Sequence, residues 1–242
     1  MRCAVFSDVH SNLEAFERVI REYHQESIDE YFCLGDIVGY GADPQECISL
    51  CRQIGARVIA GNHDWAAAGI LDPVDFNNFA RQAVFWTGQL LSKEQKNFLC
   101  SLKLTYSSGD FTLVHGTLDA PQDFSYMIGE HVAKRSFDLM LSQICFVGHT
   151  HLPGVFIREK QGMVSYLETD RIKLLAGKSY IINVGSVGQP RDGNPQAAFC
   201  IYDTDKREVL IKRAAYDVES ARKKIVDRGL PHFLGDRLRT GG

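Results

Sequence analysis

The sequence predicts an α/β (α+β) fold in which a mainly parallel sheet packs against an antiparallel one. In the first half of the chain, short apolar runs alternate with stretches that carry apolar residues at helical spacing, which is typical of parallel strands joined by helical crossovers. From 153 to about 213 the pattern changes to short apolar segments separated by turns, as in an antiparallel sheet. No linker, repeat or low-complexity stretch divides the chain, so we expect a single domain over residues 1–242.

The first half begins with an alternation of three strands and two helices. The strands are predicted at 2–7, 30–34 and 57–60. The helices are predicted at 12–26 and 44–54, where apolar residues recur every three or four positions. The second helix opens at Asp43-Pro44, because aspartate can cap a helix and proline suits its first turn.

The middle and the end of the chain have different patterns. Residues 64–103 predict a helix-rich region, in which Ser92-x-x-Gln95 resembles a capping box. A strand, a helix and a strand then follow at 110–114, 131–141 and 144–148. The antiparallel region contains the strands 154–158, 163–168, 172–175, 179–184, 197–203 and 207–213. A basic amphipathic helix is expected at 217–229, and the tail from 231 is expected to be loose.

Composition excludes several classes of function. With 27 basic and 30 acidic residues the chain is close to neutral, which is not typical of a general nucleic-acid binder or a polybasic membrane anchor. No apolar run approaches the roughly 18 to 20 residues that span a bilayer, and Met1-Arg2 leads directly into a strand. We therefore expect a cytoplasmic protein with no membrane partner and no stable nucleic-acid binding. Its seven cysteines are expected to be reduced and structural, and a homo-oligomer stays open.

Polar residues that suit metal binding follow the ends of five apolar runs. These segments are Asp8-Val9-His10, Gly35-Asp36, Gly61-Asn62-His63-Asp64, His115-Gly116 and Gly148-His149-Thr150-His151. Because ligands collect beyond the carboxyl ends of parallel strands, we expect these side chains to meet at one edge. Carboxylates with imidazoles suit Mn, Fe, Zn or Co. His63 is an additional imidazole that could do acid–base chemistry.

Each segment taken alone has a simpler interpretation. Asp8-x-His10 is more typical of a cap or turn, and Gly35-Asp36 is an ordinary turn dipeptide. Asn62 could form an Asx turn that caps the next helix. The combination favours a metal site, since the simpler interpretations require five independent coincidences at five strand ends.

In order and spacing, these five segments resemble the signature of the calcineurin-like metallophosphoesterases, over residues 8–151. Further along the chain, Asn183 to Gly193 (NVGSVGQPRDG) resembles the closing segment of the small bacterial and archaeal branch, which is phosphodiesterase-like. The resemblance implies a four-layer αββα sandwich of two mixed sheets flanked by helices, with the site at one end of the sheets.

The resemblance also implies two divalent metal ions, drawn from Mn, Fe, Zn, Ni and Co, with manganese among the candidates. One ion would be held by Asp8, His10, Asp36 and His151. The other would be held by Asp36, Asn62, His115 and His149, so that Asp36 bridges the two. His63 would stand beside the leaving group, and Asp64 would orient it.

Such a pair of ions has a known chemistry. Two cations about 3.5 to 4 Å apart share a water, lower its pKa and present a bridging hydroxide for in-line attack on phosphorus. A protonated His63 would stabilise the transition-state charge or protonate the leaving alkoxide. The expected partner is a small phosphorylated substrate.

Two residues outside the metal set are candidates for substrate binding. Asn12 follows the first motif, although helix capping is the alternative for it, and Arg191 lies in a loop bounded by glycine and proline. A guanidinium suits phosphate, but a solvated loop charge explains Arg191 equally well. The aromatic residues that either line a pocket or anchor loops are Tyr40, Phe124, Tyr126 and Trp65.

One departure from the family narrows the substrate. In the Ser/Thr protein phosphatases the Gly-Asp segment continues into an Asp-Arg pair, whereas Gly39-Tyr40 stand here. The sequence therefore favours hydrolysis of a small phosphodiester or phosphomonoester. The alternatives are a Ser/Thr-type protein phosphatase, a dinucleotide polyphosphate hydrolase, a nuclease, and a catalytically silent protein-interaction scaffold on the same fold.

Overall fold

The computed structural model describes residues 1–242 and contains twelve strands in two sheets of six. The strands are β1 (Arg2–Phe6), β2 (Glu30–Cys33), β3 (Arg57–Val58), β4 (Thr105–Ser107), β5 (Phe111–Val114), β6 (Ile144–Val147), β7 (Gly154–Arg158), β8 (Val164–Leu167), β9 (Arg171–Lys173), β10 (Ser179–Asn183), β11 (Ala197–Asp203) and β12 (Glu208–Ala214). Only the short β4 was absent from the prediction.

Eight α-helices connect and cover the sheets. They are α1 (Leu13–His24), α2 (Pro44–Gln53), α3 (Asn62–Ala68), α4 (Asn78–Leu90), α5 (Lys93–Cys100), α6 (Glu130–Leu139), α7 (Val218–Asp227) and α8 (His232–Asp236). The capping box of α5 is confirmed, since Gln95 N donates to Ser92 Oγ and Ser92 N donates to Gln95 Oε1. Asp43 precedes α2 but does not cap it, because its carboxylate accepts from Lys224 instead. No helix has the length and apolarity needed to cross a membrane.

Both sheets are mixed. The first has the order β3-β2-β1-β11-β12-β9, and the second has the order β4-β5-β6-β10-β7-β8. In the first sheet β1, β2 and β3 are parallel, while β11, β12 and β9 add antiparallel neighbours. In the second sheet β5, β6 and β10 are parallel, and β4, β7 and β8 are antiparallel.

This topology corrects one expectation. The strands after residue 153 do not form an antiparallel sheet of their own, because β7, β8 and β10 join the second sheet and β9, β11 and β12 join the first. Alternating apolar residues predict that a segment is a strand, but they do not specify which strand lies beside it.

Two faces of β1 show how the layers form. Cys3 and Val5 pack between the two sheets, whereas Ala4 and Phe6 pack under the helices that cover the first sheet. Side chains of a strand alternate between faces, so a strand buried on both sides is apolar throughout. The other sheet is covered by α6. The predicted four-layer αββα sandwich is confirmed.

The C-terminal segment is packed, and the expectation of a loose tail from 231 is wrong. Leu234 and Leu238 are 1% and 3% exposed, in a cluster with Ala80, Ala221 and Ile225. Burial of these leucines compensates the conformational entropy of a segment that has few other apolar residues. The segment thereby reaches the loops that carry the functional side chains.

Candidate metal centre and substrate cleft

The seven predicted ligand residues lie together at one edge of the two sheets, and none is more than 8% exposed. Asp8, Asp36 and Asn62 follow β1, β2 and β3 of the first sheet. His115 follows β5 of the second sheet, and His149 and His151 follow β6. The carboxyl ends of parallel strands in both sheets therefore converge on the same place, as the sequence predicted.

Three overlapping groups of donor atoms form there. Asp8, His10 and His151 make the first group, and Asp36, His115 and His149 make the second. A third group joins His10, Asp36 and His63, and within each group all donor atoms lie within 4.8 Å of one another. Asp36 and His10 each belong to two groups.

The shortest contacts join side-chain atoms of the candidate ligands. His10 Nε2 is 3.0 Å from His151 Nε2, and His151 Nε2 is 3.1 Å from Asp8 Oδ1. His115 Nε2 is 3.1 Å from His149 Nδ1 and 3.3 Å from Asp36 Oδ2. Spacings near 3 Å are those of neighbouring ligands on a metal with bonds of about 2.1 Å.

Backbone carbonyls fix the tautomers of three imidazoles. Nδ1 of His10 donates to Val38 O at 3.1 Å, and Nδ1 of His115 donates to Leu34 O at 2.7 Å. Nδ1 of His151 donates to the carbonyl of Gln189 at 2.6 Å. A carbonyl only accepts, so each Nδ1 carries a proton, and in the neutral ring Nε2 presents its lone pair to the centre.

Two oxygens of the predicted ligands are buried at this edge and have no hydrogen-bond partner. They are Asp8 Oδ1 and Asn62 Oδ1. Buried acceptors without donors are costly, and a bound cation would satisfy both. Together with the imidazole lone pairs, these oxygens form a donor set of N and O atoms that fits first-row divalent metals.

The charges of the site depend on burial and on close opposite charges. Burial alone would raise the pKa of Asp36, but the facing imidazoles of His115 and His63 outweigh it and hold the pKa below its usual range. Burial opposes protonation of His115, whereas Asp36 favours it and raises its pKa to about 10. Burial lowers the pKa of His149 to about 3 and that of His151 to about 4. The neutral imidazoles of His149 and His151 are in the form that binds metal, whereas His115 must release a proton when metal binds.

The backbone of the site is strained. Seven of its non-glycine residues have a positive φ, between 48° and 65°: Asp8, His10, Ser11, Asp36, Tyr40, His149 and His151. This left-handed region is sparsely populated and costs on the order of 1 kcal/mol or more per residue. The strain is concentrated where side chains must be turned into the centre.

Glycines allow the two carboxylates to approach the backbone. A methyl group at Gly61 would collide with the Asp36 carboxylate, and one at Gly148 would collide with Ser7 and Asp8. The motifs therefore need glycine at these positions for space.

Asp64 has a different role from the expected one. Its Oδ2 accepts from the backbone N–H of Asp36 at 2.8 Å and of Gly61 at 3.1 Å, and its Oδ1 accepts from Val38 N at 3.2 Å. Asp64 was expected to orient the imidazole of His63, but it makes no hydrogen bond with that ring. Instead it fixes the backbone that presents Asp36. Burial and the Asp36 carboxylate raise its pKa to about 7.

His63 lies between the metal centre and a cleft. Its ring centre is 4.9 Å from that of His10 and 4.8 Å from that of Phe76, and its Nδ1 has no partner. Burial lowers the pKa of the ring well below its ordinary value, which opposes the protonated form that the sequence analysis expected.

The cleft has a volume of about 610 Å³ and opens beside Asn62, His63 and His149. Its lining residues outside the predicted ligand set include Tyr40, Phe76, Phe124, Tyr126, Asp72, Asp75, Asn77, Gln122 and Asp123. Tyr126 stacks on His149 with 4.1 Å between ring centres. The structure thus places Tyr40, Phe124 and Tyr126 in the pocket, whereas Trp65 packs edge-on against Phe124.

The two candidate substrate-binding residues differ. Asn12 caps α1 through its Oδ1, and its Nδ2 donates to Gly188 O and Tyr216 Oη, so its amide is fully used. Asn12 therefore has the helix-capping role that was the alternative to substrate binding. Arg191 stands beside the site and donates to Tyr40 Oη and Gln189 Oε1, and no carboxylate neutralises it.

Sequence reasoning missed three contributors. Gln189 positions His151 through a backbone carbonyl, which leaves no signature in a sequence. Phe76 lies in the region predicted to be rich in helices, but it precedes α4 and lines the cleft. Arg237 donates to Gln189 Oε1 from the segment that was expected to be loose.

The sequence profile of the calcineurin-like phosphoesterase superfamily domain matches residues 1–207. The chain belongs to this superfamily. A protein of Methanocaldococcus jannaschii, named Uncharacterized protein MJ0912, is 38% identical over 243 residues, which cover 98% of this chain and 97% of that protein. A metallophosphoesterase from Sphaerobacter thermophilus has a crystal structure with a TM-score of 0.89 and 36% identity, with 100% of both chains covered.

A more distant relative has a named activity. Phosphodiesterase YfcE of Escherichia coli (strain K12) is 24% identical over 220 residues, which cover 87% of this chain and 91% of that protein. Family membership and this relative, together with the cluster of aspartates and histidines, support a hydrolase that acts on phosphoester bonds. The same cluster suits divalent metals.

Proposed function

We propose that this protein is a dinuclear metal-dependent phosphodiesterase that hydrolyses a small phosphodiester. The observation that carries the proposal is the pair of donor groups that meet at Asp36. Asp36 Oδ2 is 3.7 Å from His10 Nε2 on one side and 3.3 Å from His115 Nε2 on the other. A carboxylate between two sets of imidazoles is suited to bridge two cations.

The residues fit two such ions. Asp8, His10, Asp36 and His151 would hold one, and Asp36, Asn62, His115 and His149 would hold the other. Divalent cations bound there supply Lewis acidity, which activates water as a nucleophile and neutralises the charge of the phosphate. Manganese is the first ion to test among Mn, Fe, Zn, Ni and Co.

The protein's own groups orient the candidate metal ligands and hold a proton near the departing oxygen of the ester. Carbonyls of Leu34, Val38 and Gln189 keep three imidazoles in one tautomer, so no reorganisation is needed on binding. His63 lines the cleft beside the metal centre, where a ring nitrogen can hold a proton next to the departing oxygen of the ester. The cleft receives the alcohol that is released from the ester.

The cleft favours a small diester over a phosphoprotein. No basic residue lines it, and its lining includes three aspartates, Asp72, Asp75 and Asp123. Its aromatic residues suit a ring or an apolar alcohol. A silent scaffold is disfavoured, because all seven predicted ligand residues are present and buried together.

The test compares two generic substrates after loading with single metals. Hydrolysis of bis(p-nitrophenyl) phosphate and of p-nitrophenyl phosphate should be measured with Mn, Ni, Co, Zn and Mg in turn. We expect metal-dependent turnover with a higher kcat/KM for the diester. A higher kcat/KM for the monoester contradicts the diester assignment. Absence of turnover with every metal, although two equivalents are bound, would support the scaffold instead.

A further inference from the structure

Two arginines beside the metal centre converge on one side chain. Arg191 lies in the loop after β10, and Arg237 follows α8 in the C-terminal segment. Both donate to the same Oε1 of Gln189, Arg191 through Nη2 at 3.2 Å and Arg237 through Nη1 at 3.1 Å. One neutral acceptor does not balance two guanidinium charges, so an excess of positive charge stays at this place.

One nitrogen of each guanidinium lacks a partner, and neither arginine has a counter-charge. The Nε atoms of Arg191 and Arg237 are buried and have no hydrogen-bond acceptor. The carboxylates next to them in sequence are engaged elsewhere, since Asp192 pairs with Arg213 and Asp236 with Arg222. Burial and then the charge of Arg191 lower the pKa of Arg237. Buried N–H groups of this kind suit an anion with several acceptor oxygens.

A tyrosine ring stands between this pair and the imidazoles. Arg191 Nη2 donates to Tyr40 Oη at 3.2 Å, and its guanidinium carbon is 5.7 Å from the centre of that ring. The same ring is 4.6 Å from His10 and 4.5 Å from His63, between ring centres. An anion on the arginines therefore lies beside the metal centre, one aromatic ring away from its ligands.

The cleft, which Tyr40 also lines, has the opposite charge. Its three aspartates and the absence of any lining lysine or arginine disfavour an anionic group there. A substrate with a negative charge in addition to its scissile phosphate is thus oriented, with the charged part toward Arg191 and Arg237 and the uncharged alcohol in the cleft.

We propose that Arg191 and Arg237 bind a second phosphate group of the substrate, so that the substrate class is a small phosphodiester that carries an additional phosphate. This inference rests on the proposed phosphodiesterase function and names its substrate class. The inference also gives the C-terminal segment, which carries Arg237, a role in binding the substrate.

The binding step can be tested without metal and without turnover. Protein freed of metal by chelation is titrated with inorganic pyrophosphate in a calorimeter at low salt. We expect binding that is weakened about tenfold or more in Arg237→Gln and in Arg191→Gln, as for loss of a charge-assisted hydrogen bond. Arg228→Gln is the matched control, since Arg228 is exposed after α7, and it should bind like the wild type. Equal affinity of the wild type and both variants, or no binding by the wild type, overturns the site.

The substrate class is tested with a pair of diesters. The p-nitrophenyl ester of thymidine 5′-phosphate is compared with the same ester that carries a 3′-phosphate. We expect the wild type to have a kcat/KM about tenfold or more higher for the 3′-phosphorylated ester, and this ratio to fall toward one in Arg237→Gln but not in Arg228→Gln. If Arg237→Gln does not fold, Arg191→Gln gives the same comparison.

The outcomes separate this inference from the proposed function. If both esters are hydrolysed and the ratio of their kcat/KM values is the same in the wild type and in all variants, the inference is overturned. The proposed phosphodiesterase function then still stands. Turnover of neither ester overturns the proposed function and with it the substrate class, while the titration decides whether the arginines hold an anion.

Discussion

The Asp8 carboxylate receives a hydrogen bond from the backbone N–H of His149, at 3.0 Å to Oδ2, which leaves its Oδ1 free to face His151. Asp8 follows the first sheet and His149 follows the second. The contact therefore fixes the distance between the ligands that follow the first sheet and those that follow the second. The candidate ligands therefore come from both sheets.

We expect Asp36→Asn to remove both metal ions, because Asp36 lies in two donor groups and an amide provides no negative charge to share. Elemental analysis after gel filtration should show that the metal content falls from two equivalents per chain toward none. Phosphodiesterase activity should be lost with it. Asp110→Asn, an exposed aspartate, is the control. Two retained equivalents would contradict a bridging Asp36.

His63→Ala should retain both metal ions and lose most of the turnover. The side chain lines the cleft and has an unpartnered Nδ1, so its loss removes a proton carrier and leaves the predicted ligands in place. We expect kcat to fall by about 10²- to 10⁴-fold, as for a general acid. Loss of a metal equivalent would instead make His63 a ligand, as its proximity to His10 and Asp36 permits.

The metal centre could be predicted because each ligand follows a strand end and carries a side chain with few other uses there. Its supporting contacts could not, since the carbonyls of Leu34, Val38 and Gln189 belong to backbone that any residue supplies. The strands were located from their apolar runs, but the division of β7 to β12 between two sheets depends on pairing across long separations. Arg237 had no detectable signal, because its position is set by the burial of Leu234 and Leu238.

Leu234→Ala should loosen the C-terminal segment. Leu234 is 1% exposed, and truncation of a buried leucine costs about 2 to 5 kcal/mol of unfolding free energy. We expect a lower denaturant midpoint and faster proteolysis within 231–242. His232→Ala, at an exposed position, should be close to the wild type in both measurements. Unchanged proteolysis in Leu234→Ala would show that the segment is held by other contacts.

Glu26 should stabilise the fold in a pH-dependent way. Lys212 Nζ lies 2.6 Å from one carboxylate oxygen and Arg2 Nη2 lies 2.7 Å from the other, and these cations, Lys212 first, lower the pKa of Glu26 below its usual value of 4.5. A lowered pKa in the folded state means that the stabilisation is present above about 4.5 and is lost as the pH falls through the folded value.

The difference in unfolding free energy between the wild type and Glu26→Gln should therefore be about 1 kcal/mol at neutral pH and should shrink in acid. Urea unfolding from about pH 7 to about pH 3.5 measures it. Glu17→Gln, in an exposed pair with Arg21, controls for loss of a surface charge. A difference that is independent of pH would contradict an ionic origin.

Substitution of Asp64 tests whether its buried carboxylate supports the site through the backbone or through His63. Its two oxygens accept from three backbone N–H groups, and their removal costs about 1 to 3 kcal/mol for each buried donor left without a partner. We expect Asp64→Ala to lower the unfolding free energy by about 3 kcal/mol or more and to weaken metal retention, because the backbone from Asp36 to Val38 loses its anchor. Measurement of the same change in a His63→Ala background completes a double-mutant cycle. If Asp64 acts on the backbone, the two effects on stability add, whereas a coupling energy as large as the Asp64 effect would mean that Asp64 works through the imidazole.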